Sequence, residues 1–404
     1  MKRDRWRRGG KRLRTRYERR HRNGKLLLIL GAICLVLFMI YVGLIYGLTA
    51  QKGTMEITVC SEFDSKEAIT MNFLGERNVS WWFKATDTVN TKSVGEYHVI
   101  YAPRFFFGKT IERTFIVVDK EKPEIILEPM EEGTVLTSID SFEEPGYLVT
   151  DNYDTGLTDK VTTEVRRLKP YWYEIVYRVE DSSGNVGTAK REVNVISGVV
   201  CLTFDDGPSD LTPNFLDILQ RNGVKATFFM LGFEKEKEAI VKRVDEEGHT
   251  IGYHGYSHQY SEIYTSLDAL MSNFYRLEIQ LNNLLGTEST KLIRFPGGTS
   301  NTVSRNYCEG IMSEAVKRVQ EEGYMYFDWN VDSQDAGGAT TAEAVYANVR
   351  AGIRSGRQNV VLMHDTKQHT LEALQWIIDY CFENDYVFEA LSSDSKPVFH
   401  RTSN

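Results

Sequence analysis

Residues 26–49 of this 404-residue chain, LLLILGAICLVLFMIYVGLIYGLT, contain no charged side chain. As a helix, at ~1.5 Å per residue, the run would reach about 36 Å, enough to cross the ~30 Å hydrocarbon layer of a bilayer. A helix buried in a soluble core would show a polar face, and this run has none. A cleavable signal peptide has an apolar core of roughly 7–15 residues and a small-residue cleavage site. Here the run is longer, and Leu48 stands where a small residue before Ala50 is wanted. The expectation is therefore an uncleaved anchor at 26–49 that separates a short tail from a body folding on its own.

Charge sets the direction of that span. Residues 1–25 hold thirteen Lys and Arg against only Asp4 and Glu18, whereas the chain has 48 Lys and Arg and 56 Asp and Glu. The net charge of −8 thus averages a basic tail and a strongly acidic body. A cation-rich flank stays in the cytoplasm. Gln51, Lys52 and Glu56 follow the run, and Tyr41 and Tyr46 suit the outer interface. The body is expected outside the cell membrane, held by a single span with its N-terminus inside. A basic tail could bind nucleic acid, but this one abuts the span, where a topogenic signal that also holds anionic lipid is the better reading. No nucleic-acid partner is expected. The five cysteines, Cys34, Cys60, Cys201, Cys308 and Cys381, are scattered and form no CxxC. They make neither a disulfide framework nor a zinc–thiolate site.

Residues 53–196 read as β. Short alternating or β-branched runs (MEITVC, VSWWFKA, EYHVIYA, RTFIVVD, PEIILE, YEIVYRVED, AKREVNVI) are separated by polar turns such as DNYDTG and DSSGN. An aromatic strand and a closing strand recur about 76–79 residues apart, which predicts two small all-β sandwiches, 53–119 and 120–196. The second resembles the bacterial immunoglobulin-like modules of surface proteins, through EEPGYLVTDNYDTGLTDKV and YEIVYRVEDSSGNVGTAKREVNV. Both are expected to act as spacers, with glycan binding the other reading.

From Val199 strands alternate with amphipathic helices, the pattern of an α/β domain, assigned to 199–395. Helices are predicted at 235–247, 266–285, 311–322, 341–355 and 370–383, several ending on glycine (Gly248, Gly286, Gly323, Gly356). In a barrel or open parallel sheet, active residues gather at the C-terminal ends of strands. Five polar groups fall there: Asp205 and Asp206 in TFDDGP; His254 and His258 in YHGYSH; Arg294, Pro296 and Gly297 in IRFPGG; Asp332 and Asp335 in VDSQDA; and Leu362, His364 and Asp365 in LMHD. Each alone has an ordinary reading as a turn, a surface pair or a salt-bridge partner. Together they supply two imidazoles and a carboxylate for a catalytic divalent ion with an open position. A second carboxylate can then take a proton, an arginine can hold it ionised, and a third imidazole can protonate a leaving amine. Two adjacent acids at one strand end are thus accounted for, as one ligand and one base.

These five motifs, in this order over about Val199–Leu391, resemble the polysaccharide deacetylases of carbohydrate esterase family four. The resemblance implies a distorted (β/α) barrel of about seven strands. It implies Asp205 as catalytic base, Asp206, His254 and His258 as metal ligands, and Arg294 as the group that steadies the base. It further implies the Gly297 N–H at the oxyanion, Asp335 supporting the catalytic pair, Leu362 against the acetyl methyl and His364 as acid. Three positions depart from the family pattern: Gly255 for Ser or Thr, Gly297 for an aromatic residue and Ala336 for Trp. They alter the groove wall and leave the metal and acid–base set complete. His249 and His369 read as structural or surface residues, and Trp329 as core.

The expected protein is a membrane-anchored, metal-dependent hydrolase that removes N-acetyl groups from an extracytoplasmic glycan. Its ion is Zn²⁺ by preference, with Co²⁺ and Ni²⁺ suiting the same ligands. Peptidoglycan N-acetylglucosamine is the first substrate considered, because the body is tethered beside the wall. An exopolysaccharide or other acetylated surface glycan is the alternative, and an O-acetyl esterase a lesser one. The rival of another class is a non-catalytic wall-binding protein.

Overall fold

The computed structural model describes residues 4–49, 53–66, 68–72, 76–78, 80–104, 110–286 and 290–403. Gln51 and Lys52, expected at the outer flank of the span, and Val79, the first residue of VSWWFKA, lie outside the described residues.

Asp4–Thr49 is one helix. Within it Arg19–Val42 is long and apolar enough to cross a membrane, with mean hydropathy 2.7 and none of the segment buried by the rest of the chain. Leu28, Leu27 and Phe38 stand 75, 70 and 60 % exposed. A core helix of a soluble protein would have covered them, so the anchor and signal-sequence readings are those that fit.

The chain divides into two compact units. The first comprises residues 1–128, 146–163 and 177–189. Its four-stranded sheet has the order Met55–Thr58, Ile111–Val118, Gly95–Pro103, Phe83–Asp87. Along Ile111–Val118 burial alternates, Ile111, Arg113, Phe115 and Val117 pointing inward. There Ile111, Phe115 and Val117 meet Ile57, Ile69, Phe83, Val99 and Tyr101 in one apolar core. The run VSWWFKA is less extended than its composition predicts: Ser80–Trp82 is a 3₁₀ turn and the strand begins at Phe83. The Asn78 Oδ1 accepts from the Ser80 N–H at 2.8 Å, a local bond that competes with the strand ladder.

A second four-stranded sheet runs Thr162–Lys169, Trp172–Glu180, Val186–Val195, Val135–Leu136. All eight residues of Thr162–Lys169 are exposed, which is why alternation gave no sign of this strand.

The second unit comprises 129–145, 164–176 and 190–404. Its parallel sheet runs Met325–Tyr326, Leu292–Ile293, Thr250–Tyr253, Thr227–Met230, Gly198–Asp205, Gln358–His364, Val331–Asp332, and Tyr386–Phe388 also pairs with Gly198–Asp205. The two end strands, Met325–Tyr326 and Val331–Asp332, are not paired with each other, so the sheet is a curled, open barrel. Helices pack over it, and residues such as Phe204, Phe228, Leu277, Val345 and Ile378 fill the space between them. The central strand Gly198–Asp205 is buried from Val200 onward because it is covered on both faces.

The helices form at Glu238–Glu246, Leu267–Leu285, Ile311–Glu321, Ala342–Gly352 and Gln368–Glu383. Ser266 and Thr341 cap two of them, accepting from Ala269 N and Ala344 N. Gly286 ends its helix in the left-handed conformation, as expected. Gly356 does not end one: its helix stops at Gly352 with Ile353 as cap. The N–H of Gly356 instead donates to Ser197 O, in the turn that leads into Gln358–His364.

Candidate active site

The parallel register brings the polar strand ends together. Asp205 lies opposite His364 across one ladder and opposite Phe229 across the other. Tyr253 lies opposite Ile293, so the next residues, His254 and Arg294, emerge side by side. A cleft of ≈ 490 Å³ opens at this edge, lined by Asp205, Asp206, His254, His258, Tyr260, Gly297, Trp329, Leu362 and His364, with Asp332, Gln334 and Ala336–Gly338 on its rim.

The two acids have different surroundings. Asp205 is 2 % exposed, and its Oδ1 accepts from Arg294 Nη1 at 2.9 Å. Arg294 is itself fully buried. Its other bonds go to Thr203 Oγ1 at 2.6 Å, Phe327 O at 3.0 Å and Asp328 O at 3.1 Å, and its guanidinium lies 4.3 Å from the centre of the Phe229 ring. Four of its five N–H donors are thereby committed, so the arginine holds Asp205 in one pose. Asp206 has a positive φ of 71°, a conformation that turns its side chain away from the strand and toward the imidazoles. Its Oδ1 is buried without a hydrogen-bond partner, 3.6 Å from His254 Nε2 and 3.9 Å from His258 Nε2.

The histidine atoms are oriented for ligation. His254 Nδ1 lies 2.8 Å from Arg294 O. A carbonyl only accepts, so the proton sits on Nδ1 and the Nε2 lone pair faces Asp206. Burial, then the neighbouring His254, lowers the His258 pKa, favouring the neutral ring a metal requires. One oxygen of Asp206 and one nitrogen from each ring lie within 4.8 Å of one another. An acceptor oxygen without a donor, facing the His254 Nε2 lone pair, repels it unless a cation lies between. This donor set of two nitrogens and one carboxylate fits a divalent ion of the zinc type.

On the opposite side, His364 Nδ1 lies 2.7 Å from Asp335 Oδ1, and His364 N and Thr370 Oγ1 donate to Asp335 Oδ2, each at 2.7 Å. Burial alone would lower the His364 pKa. The bond to Asp335 and the charges of Asp205, Asp335 and Asp206 outweigh it and lift the imidazole to about 9. Burial of Asp335 is likewise outweighed by its bond to His364, which holds the carboxyl below its usual value. The imidazole is therefore held protonated, with Nε2 facing Asp206 at 3.9 Å. Leu362 and Gly297 line the cleft between the two sides, and the Gly297 N–H makes no hydrogen bond among the described residues.

Seven of the nine sequence-derived candidates line one cleft, and Arg294 and Asp335 stand behind it, bonded to Asp205 and His364. Trp329, expected in the core, forms part of the cleft wall. His249 lies outside the cleft, buried, its Nδ1 accepting from Ala226 N at 3.1 Å. His369 lies 3.1 Å from Asp335 O through Nε2. Sequence reasoning missed Tyr260, whose ring lies 5.2 Å from that of His258, and Thr203, which shares Arg294 Nη1. Tyr260 had a signal, two residues after His258; Thr203 had none. The role of Asp365 was also missed. Burial pushes its carboxyl up to about 7, and its oxygens fill the space beside Gly207, where an added Cβ would lie 2.4 Å from Asp365 Oδ2.

Comparison with known proteins gives independent results. The family model described as polysaccharide deacetylase matches residues 192–311, and that of the bacterial surface protein Ig-like domain matches residues 131–195. YheN of Bacillus subtilis strain 168, named for a polysaccharide deacetylase, is 32 % identical over 210 residues, which are 51 % of this chain and 71 % of YheN. A peptidoglycan-N-acetylglucosamine deacetylase of Bacillus cereus is 32 % identical over 207 residues, 49 % of this chain and 70 % of its own. The crystal structure of the catalytic domain of the peptidoglycan N-acetylglucosamine deacetylase of Eubacterium rectale has 39 % identity, 51 % of this chain against 94 % of that one, and a TM-score of 0.49. With YheN and the Bacillus cereus deacetylase each 32 % identical to this chain and matched over more than two thirds of their own length, the chain belongs to the polysaccharide deacetylase family.

Proposed function

We propose that the protein hydrolyses the N-acetyl groups of an extracytoplasmic glycan, with peptidoglycan N-acetylglucosamine as substrate. The observation that supports this most is the pairing of two differently prepared sides in one cleft. Asp206, His254 and His258 would hold a divalent ion beside an arginine-clamped carboxylate, and a protonated imidazole faces them. When bound, the ion would supply Lewis-acid polarisation of the acetamide carbonyl and a lowered pKa for the attacking water. Asp205 accepts that water's proton, and Arg294 keeps its carboxylate oriented for the task. The Gly297 N–H donates to the developing oxyanion. Leu362 contacts the acetyl methyl. His364, charged and fixed by Asp335, delivers a proton to the departing amine.

The division into tail 1–25, span 26–49, sandwiches 53–119 and 120–196 and catalytic domain 199–395 belongs to the same proposal. So does a single membrane span with the cleft outside the cell. The names of the relatives, the family-model matches at 131–195 and 192–311 and the unburied apolar segment Arg19–Val42 support it. Zn²⁺ is the proposed ion.

The test is acetate release by the purified full chain from peptidoglycan, chitooligosaccharide and poly-N-acetylglucosamine, before and after chelation. Release from peptidoglycan that chelation abolishes and Zn²⁺ restores is the expected result. Preference for poly-N-acetylglucosamine would move the assignment to an exopolysaccharide. Absence of release from all three in the metal-loaded protein would overturn the hydrolase reading in favour of a wall-binding protein.

A further inference from the structure

A second cluster, none of whose residues lines the catalytic cleft, lies wholly within the first unit. Asp119, Asp151, Asp154 and Asp181 each place one carboxylate oxygen within 4.8 Å of the others. They come from three segments: the residue after Ile111–Val118, the loop after Tyr147–Thr150, and the turn between Trp172–Glu180 and Val186–Val195. The backbone holds them in place. Gly187 admits Pro123 so closely that an added Cβ would lie 2.0 Å from Pro123 O, so the segment after Asp119 lies directly against the strand Val186–Val195. Asn185 Nδ2 donates to Asp119 O at 3.3 Å and to Asp181 Oδ2 at 2.8 Å. Asp151 Oδ1 accepts from the N–H groups of Tyr153 and Asp154, and Asp154 Oδ2 accepts from Ser182 N and Oγ.

A separate observation concerns what these oxygens lack. Asp119 is only 6 % exposed, and its Oδ2 is buried with no hydrogen-bond partner. Asp151 Oδ2 is likewise buried without a partner, as is Oδ1 of the next residue, Asn152. All three atoms are acceptors. Among the described residues no Lys, Arg or His forms an ion pair with any of the four aspartates. Carboxylates gathered this closely repel one another; their hydrogen bonds leave Asp119 Oδ2 and Asp151 Oδ2 without a donor, and no basic side chain among the described residues offsets that cost.

We propose that Asp119, Asp151, Asp154 and Asp181 form a calcium site that fastens the segment after Asp119 to the two loops. The donors are oxygens alone, with no His or Cys, which favours a hard cation over zinc. Ca²⁺ takes 6–8 oxygens at about 2.3–2.6 Å in flexible geometry, so opposite ligands stand up to ~5 Å apart, in keeping with this cluster. Mg²⁺ demands a tighter octahedron and rarely takes an all-protein cage.

The test uses the full chain stripped of metal, with ⁴⁵Ca²⁺ equilibrium dialysis and thermal unfolding in CaCl₂ or EDTA. One saturable site is expected, with Kd of roughly 10⁻⁴–10⁻³ M as in extracellular modules. His254→Ala keeps it, which separates it from the catalytic cluster; Asp119→Asn and Asp154→Asn lose it. Ca²⁺ raises the Tm of the wild type and leaves Asp119→Asn unchanged. In EDTA the order reverses: Asp119→Asn keeps the acceptor for Glu121 N, replaces the orphan oxygen by a donor, and melts above wild type. That reversal is not produced by a carboxylate serving only as a hydrogen-bond acceptor. The proposal is overturned by no saturable Ca²⁺ binding up to roughly 10 mM, by binding that survives both aspartate substitutions, or by an Asp119→Asn chain that melts below wild type in EDTA.

Discussion

Asp205 and Asp206 are chemically identical and adjacent, yet they face different partners. Asp205 is held by Arg294; the free oxygen of Asp206 faces two imidazoles. Their Asn variants should therefore fail in different ways. Asp206→Asn weakens a ligand, so metal content and turnover fall together, and excess Zn²⁺ restores part of both. Asp205→Asn leaves the three ligands in place and stays metal-loaded, but it loses a general base, about 10²–10⁴-fold in turnover. Metal analysis beside acetate release checks this; equal metal loss in the two variants would reverse the assignment. His249 allows a test of stability at the same level of detail. Burial, followed by the charge of Lys225, lowers its pKa to about 4. The unfolded chain binds this proton near pH 6.5 and the folded chain does not. Stability is therefore present in full above about pH 6.5 and drains as pH falls toward 4, by about 3 kcal/mol in all. His249→Asn offers an acceptor near the Nδ1 position for Ala226 N and carries no such proton. Its urea-unfolding free energy should fall less steeply than wild type between pH 6.5 and 5.

The strands place these residues, and one segment outside the barrel strands also contributes to the second unit. Asp385 follows the last long helix with a positive φ of 57° and is 4 % exposed. Arg167 Nη2, the Tyr171 N–H and Tyr173 Oη donate to it at 2.7, 2.9 and 2.6 Å, all from residues 164–176 of the same unit. A fragment beginning at residue 199 retains the whole cleft but strips Asp385 of all three donors. Arg167 is one-third exposed, so its ion pair is partly screened. Tyr173→Phe and Arg167→Ala should each cost about 1–2 kcal/mol in denaturant unfolding, with acetate release at 25 °C unchanged. A loss below ~0.3 kcal/mol for both would show that this contact carries no stability.

For the molecule as a whole, the proposed location of the chemistry rests on the N-terminal helix. The unburied apolar segment Arg19–Val42 fits an anchor or a signal sequence by length and composition. The anchor reading expects full-length protein in the membrane fraction, extracted by detergent and not by carbonate or salt. Release into the medium with a new N-terminus near residue 50 would instead mark a signal peptide. With thirteen cations in residues 1–25, both readings expect this tail on the cytoplasmic side.

Much of this was legible in the chain itself because it rests on local chemistry. The apolar run, the strand–helix alternation after Val199 and the five strand-end motifs each follow from residues close in sequence. A parallel sheet then obliges strand ends to meet at one edge, which is why separate motifs such as Asp205 and His364 could be grouped in advance. What stayed hidden depends on contacts between distant segments. Thr203 is an unremarkable strand residue until Arg294 arrives beside it, and Trp329 reads as core until the open edge of the sheet exposes it to the cleft. The exposed strand Thr162–Lys169 carries no alternation because neither of its faces is buried. Asp119, Asp151, Asp154 and Asp181 look like ordinary turn residues, the most common use of aspartate in loops. Sequence determined which side chains were present at which strand ends and turns. Only tertiary structure decided which carboxylates found a donor and which were left facing one another, because burial and pairing are properties of the surroundings that folding assembles.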